Sequence, residues 1–393
     1  MNGLTRSAVL GACVAVIIGC GRGTEPSTPT TGNSKFPMLV NEGGHILSPL
    51  RLVAIVAAND SLRDSLFAFA KALPASQWWP QVATPFGVSA TATAFTVTGP
   101  PIAAGTQMTF ADVTAYVQAA AVDSAGYAAD GRTTFLMFLP TGVSCIGGSC
   151  PPFSAFHRPF GTSTRGDFDA LAVVVRGANP TMEAMTLAAS HEIIESATDP
   201  EENAWKLESP FHPWTGSPWG LDDGGTFEEN ADMCEGTRIL DGGFYYQRIF
   251  SNQAAALGGD PCVPAIPAPY FNVTTNGWYS TTTGEVSIPI TGWSVGTAAD
   301  WVLTVGSGPR TPSLPSPTLS FSCPDTLLLN GGRYCGINNG KIATLHVKLP
   351  PGSLSQSFFS FRLFSFHMDA NGQIAAGPGE DYSHRWIVGV YVP

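Results

Sequence analysis

Four apolar runs of strand length mark the first half of the chain: RLVAIVAA (51–58), ATAFTVTG (92–99), TTFLMFLP (133–140) and ALAVVVRG (170–177). They are unbroken rather than alternating, the pattern of strands covered on both faces. Asn59-Asp60-Ser61 supplies caps for a helix through Leu73, and a helix-like stretch from Ala111 to Gly126 separates the second run from the third. Strand followed by helix predicts an α/β (α+β) domain with a mostly covered central sheet, placed at residues 45–265. Past Cys262, VPAIPAP reads as a linker, and the pattern changes to short alternating stretches: EVSIPITGW, DWVLTVGS, ATLHVKL, FFSFRLFSF and HRWIVGVYV. Turn residues separate them at regular intervals, so residues 266–393 are expected to form an all-β, sandwich-like accessory domain for binding or spacing. No internal repeat points to a solenoid or propeller.

The N-terminus has a different character. The apolar run AVLGACVAVIIG (8–19) follows a single positive charge, Arg6, and stops at Cys20. This reads as an export signal, too short to span a bilayer. The tetrad Ile17-Ile18-Gly19-Cys20 resembles a bacterial lipobox, which implies a lipoprotein signal peptide at 1–20 and a membrane anchor through lipid on Cys20. Gly21, in place of an aspartate, implies by the same resemblance the outer membrane. Residues 21–44, rich in Pro, Thr and Gly, cannot pack a core and read as a tether. Of the eight cysteines, six remain once Cys13 and Cys20 are set aside. Proximity groups them as Cys145 with Cys150, Cys234 with Cys262, and Cys323 with Cys335, and an oxidising compartment lets such pairs close. The expected location is the bacterial cell envelope, as an outer-membrane lipoprotein, or the extracellular space.

Charge narrows the partners. Only 12% of residues are charged, and 19 basic against 30 acidic side chains leave a net charge of −11. Phosphate binding needs a basic face, so nucleic acid is excluded as the expected partner.

The chemistry concentrates in NPTMEAMTLAASHEIIESATDP (179–200). Asn179 can cap a helix with Pro180 in its first turn, and Thr198-Asp199-Pro200 stops it. His191 and Glu195, four apart, share a face of that helix, with Glu192 beside them. This is the spacing of a metalloprotease helix, with Glu where the second histidine usually stands. A solvated polar helix face is the plainer reading, but the flanking MTLAAS and II are small or apolar and place the triplet near a core or cleft.

HEIIESATDP, then ENAW (202–205) and ENADMCEG (229–236), together resemble the secreted EXORDIUM-like, or phosphate-induced, proteins of plants. Related exported bacterial proteins share a start like residues 48–88, a segment like FSAFHRPF (153–160), and YYQRIFSN followed by DPCV (260–263). The resemblance spans about residues 45–265 and stops before the C-terminal module. The chain carries E-N-A-D where that family has E-I-G-D, keeping both carboxylates.

The resemblance implies a zincin-like site binding Zn²⁺: His191 and Glu195 as ligands, Glu192 as general base, and Asp232 or Glu229 as third ligand, with Asp232 preferred. The other carboxylate could orient His191. His157 recurs in the family segment as a fourth ligand, an oxyanion-stabilising donor or a packed loop histidine. Asp199 reads as a helix stop, and His212 as part of a Pro- and aromatic-rich lid rather than a ligand. Two functions remain open. One is a zinc-dependent hydrolase acting on peptide, with metal-activated water; the other is a non-catalytic lipoprotein bound to a cell-surface polymer or polysaccharide, its metal site structural or vestigial.

Overall fold

The computed structural model describes residues 36–393 apart from 128–129, 148–154, 162–167, 177–180, 208–228, 311–314, 330, 352–356 and 376–380. The signal, Cys20, Cys150, Asn179, Pro180 and His212 therefore lie outside the described residues.

The first region builds one five-stranded sheet. Its strands are β1 (Arg51–Ala57), β2 (Thr93–Gly99), β3 (Thr133–Phe138), β4 (Ala155–Phe160) and β5 (Asp169–Val174). The spatial order is β2-β1-β3-β5-β4, with the first four parallel and β4 antiparallel on the edge. Parallel neighbours require crossovers. Helix α1 (Arg63–Ala72) supplies the one from β1 to β2; α2 (Phe110–Val117), continued by a π-helical turn to Ser124, supplies the one from β2 to β3.

Both faces of this sheet are buried, which is why its central strands are unbroken apolar runs. Leu52, Ala54 and Val56 of β1 point to the side holding Leu66 and Phe69 of α1, whereas Val53, Ile55 and Ala57 point to Val113 and Val117 of α2. β2 departs from the expectation of cover on both faces: exposure alternates along it, and Phe95 is 38% exposed. It is the outermost strand on its side of the sheet.

Helix α3 (Met182–Thr198) packs under the sheet. Thr181 caps it by accepting the Ala184 N–H at 3.1 Å, so the cap lies two residues beyond the one expected at Asn179. It ends where expected, with Asp199 leaving the helical region (φ −150°, ψ 59°) before Pro200. Its other side meets a hairpin of β6 (Arg238–Asp241) and β7 (Phe244–Gln247). Gly242 and Gly243 turn that hairpin with φ of 56° and 88°, a two-residue turn that side chains bearing Cβ rarely adopt.

Residues 271–392 form two antiparallel-rich sheets. Strands β8 (Phe271–Thr274), β9 (Glu285–Ser294), β10 (Trp301–Arg310), β11 (Thr318–Ser322), β12 (Asp325–Leu329), β13 (Gly332–Ile337), β14 (Ile342–Lys348), β15 (Ser357–Met368) and β16 (His384–Val392) carry it. One sheet runs β8-β9-β14-β11, the other β16-β15-β10-β13-β12 with a short strand, Trp278–Ser280, parallel to β16. Ile288, Ile290, Leu345 and Val347 of the first share a core with Leu303, Phe361, Leu363 and Val388 of the second.

The two regions are joined by a shared core. The Phe36 ring lies 6.0 Å from that of Phe250 and 5.3 and 5.2 Å from those of Trp293 and Trp386. Disulfides Cys234–Cys262 and Cys323–Cys335 are formed, as their proximity suggested; the pairing of Cys145 with Cys150 falls outside the described residues. Formed disulfides suit an oxidising, non-cytoplasmic compartment. Among the described residues no helix is long and apolar enough to cross a membrane.

Candidate metal centre

Six polar side chains converge where α3, the edge strand β4 and the segment 229–234 meet. One turn of α3 places His191, Glu192 and Glu195; β4 supplies His157; the segment before β6 supplies Glu229 and Asp232. The His191 Nε2 atom lies 3.0 Å from Glu195 Oε2 and 3.4 Å from Asp232 Oδ1. On the inner side, His157 Nδ1 is 3.2 Å from Glu192 Oε2 and 3.8 Å from Glu195 Oε2, and its Nε2 is 3.7 Å from Glu229 Oε1. Two groups with metal-ligand spacing result, His191/Glu195/Asp232 and His157/Glu192/Glu195, each with one atom per residue inside 4.8 Å. Glu195 belongs to both.

The ring of His191 is oriented by an amide. Gln247 donates from Nε2 to the Ala231 carbonyl at 2.7 Å, and a carbonyl can only accept, so Gln247 Oε1 is the end that faces His191 Nδ1 at 3.2 Å. The proton of a neutral ring is thereby assigned to Nδ1, leaving the Nε2 lone pair aimed at Glu195 and Asp232. Gln247 is itself fixed: its N–H donates to Ser190 Oγ at 2.8 Å, and its carbonyl accepts from Trp78 Nε1 at 2.7 Å. Sequence reasoning gave this role to a carboxylate and missed Gln247. Its one signal was a glutamine following the aromatic pair Tyr245-Tyr246.

The remaining candidates sort themselves by contact. Asp232, preferred as the ligand, is the acid beside His191, while Glu229 faces His157 instead. Asp232 Oδ2 also accepts the Glu229 N–H at 3.0 Å, tying the two together. Asp199 Oδ1 accepts the N–H groups of Asn203 and Ala204 at 2.6 and 2.7 Å, the work of a helix stop. His157 is not a loop histidine: it sits on β4 and is buried.

Four carboxyl groups crowd two imidazoles here, and the crowding shifts their protonation. Burial disfavours a charged His191, but Glu195 and Asp232 outweigh it and hold the imidazole well above its usual value. For His157 too burial is outweighed, by Glu192 first, and the net shift is upward. Burial, opposed by His191, pushes Glu195 up to about 8. Burial and then the Glu195 charge raise Glu229 well above the carboxylate range. Asp232 goes the other way, because the His191 hydrogen bond overcomes its burial.

Glu195 Oε1 and Glu229 Oε1 are buried without a hydrogen-bond partner. A buried carboxylate oxygen left unpaired is costly, so the arrangement fits a cation held between these acids. Two imidazoles and several carboxylates form the nitrogen and oxygen donor set that zinc accepts. Comparison with family models, with curated proteins and with solved structures finds no match to this chain.

Proposed function

We propose that the chain is a metal-dependent hydrolase of zincin-like type in which His191, Glu195 and Asp232 hold a zinc-class divalent ion. The observation that carries this is the placement of His191, its Nδ1 on Gln247 Oε1 and its Nε2 facing Glu195 and Asp232. The unpaired Glu195 Oε1 in the same cluster supports it. Bound there, such an ion supplies an acidified water and polarises a carbonyl oxygen. Glu192 stands one residue from the first ligand and shares a hydrogen bond with His157, so it can accept a proton from water while His157 balances the charge that moves. His157 thus serves as partner of the base, and the Asp199 carbonyl, 3.4 Å from its Nε2, keeps that ring in place.

The substrate class in this reading is peptide, after the metalloprotease-like spacing of His191, Glu192 and Glu195 on one helix. Lipid on Cys20 would hold the enzyme at the membrane of the cell envelope. A second reading has its own observation: Glu192 and Glu195 are 5% and 3% exposed, and two carboxylate ligands reduce the Lewis acidity of an ion. On that reading the metal is structural and the protein binds a surface polymer.

Glu192→Gln separates the two. If the chain hydrolyses peptides, this variant keeps its metal and fold but loses on the order of a hundredfold or more in rate, the scale for acid–base groups. His191→Ala loses metal. Glu192→Gln losing metal while Glu195→Gln keeps it would overturn these roles.

A further inference from the structure

The segment that presents Asp232 is gripped at three consecutive backbone carbonyls. Asn230 O accepts the Phe250 N–H at 2.9 Å, and Ala231 O accepts Gln247 Nε2 at 2.7 Å. Both donors belong to the α/β region. The third carbonyl, Asp232 O, accepts a guanidinium N–H of Arg385, a residue of β16 in the C-terminal sandwich. The Arg385 side chain is 3% exposed and pairs with Glu235 Oε2 at 2.7 Å, on the far side of the same turn.

Arg385 is the end of a wider clamp. Asp381 Oδ1 accepts the Arg238 N–H at 2.7 Å, and Tyr382 N–H reaches the Gly236 carbonyl at 3.2 Å. Tyr382 also lies under the Arg238 guanidinium, 3.3 Å from its centre, and its hydroxyl donates to Glu183 of α3. A Cβ on Gly236 would come within 2.8 Å of Ser383 Oγ, so the approach of the two segments is close. Residues 381–385 thus span from the first turn of α3 to the turn carrying Asp232.

We propose that the C-terminal sandwich is a positioning element for the metal site, with Arg385 holding the Asp232 turn so that its carboxylate meets His191. The inference rests on the metal reading of the site and gives the module expected for binding or spacing a part in holding a ligand. A guanidinium fork suits the task, since it can hold a carbonyl and a carboxylate at once while its charge faces the acidic turn.

The test compares zinc affinity, read by competition with a chromophoric chelator, in the full exported chain and three variants. Arg385→Gln should weaken zinc binding about tenfold or more, the scale of lost supporting contacts around a metal, and Arg385→Lys should fall between. Val388→Ala, which opens a cavity in the sandwich core, should lower Tm yet leave affinity within about twofold, because it removes no contact to the ligands. The visible spectrum of the Co²⁺-loaded protein should change in Arg385→Gln and not in Val388→Ala. Should Arg385→Gln fail to fold, Arg385→Lys alone decides. Unchanged affinity in the Arg385 variants, or equal weakening by Val388→Ala, overturns the proposal while the metal reading stands. An unaltered chain that binds no zinc overturns both.

Discussion

The buried charge clusters around Arg248 and around His191 are balanced in opposite ways. Around Arg248, a fully buried guanidinium meets Asp260, Asp381 and the carbonyls of Cys262 and Pro264. Each of its nitrogens has an acceptor, and the acids bring the opposite charge. Around His191 the reverse holds: Glu192, Glu195, Glu229 and Asp232 crowd two imidazoles, and two of their oxygens have no partner. The first cluster is complete with the chain's own atoms and serves to fasten the sandwich to the α/β region. The second leaves Glu195 Oε1 and Glu229 Oε1 without a hydrogen-bond partner, and on the proposed metal reading a cation would complete it.

The largest effect should come from breaking the complete cluster. Arg248→Ala strands two buried carboxylates and should cost about 3–5 kcal/mol, read as a large fall in Tm that zinc does not recover. Cutting the 28-residue disulfide loop comes next. Cys234→Ser with Cys262→Ser should cost about 3–4 kcal/mol by loop entropy, and it should weaken zinc binding as well, because Cys234 lies two residues from Asp232.

A smaller change tells the clusters apart. In the metal-free chain Glu195→Gln replaces a carboxyl that burial already keeps protonated up to about pH 8 and should be nearly neutral, whereas Asp381→Asn beside Arg248 should destabilise. Chemical denaturation of both in the presence of a chelator checks this contrast. Equal losses would erase the distinction between the clusters.

The pH dependence follows from the same crowding. His191 is held above its ordinary value and Glu195 is pushed up to about 8, so the folded metal-free chain keeps protons that the unfolded chain releases earlier. Stability from these groups is therefore present at low pH and lost as pH rises through about 8. Asp232 is shifted below 3.8 and acts only in acid. Zinc must displace those protons, so its affinity should strengthen over the same rise. Tm measured with chelator and with zinc should show slopes of opposite sign across that window.

Much of this was legible in the chain because local rules govern it. The strands β1, β3 and β5 read as unbroken runs since helices cover both faces, and His191, Glu192 and Glu195 share a helix whose period fixes their spacing. Asp232 could be preferred over Glu229 only narrowly, since spacing along a loop does not fix direction. Gln247 and Arg385 were not legible at all. Each acts across a large sequence separation, 56 residues from Gln247 to His191 and 153 from Arg385 to Asp232, and neither has a spacing signature. The edge strand β2 also misled, because an apolar run does not reveal that one side lacks a neighbour.

Metal content of the purified chain, after exposure to zinc and removal of the excess, tests the central claim most directly. One zinc per chain is expected, lost in His191→Ala and retained in Arg248→Ala to the extent that variant folds. X-ray absorption at the zinc edge should show nitrogen and oxygen donors with no sulfur. A chain that retains no zinc, or holds it through cysteine sulfur, would contradict the assignment of the His191 cluster as a metal centre.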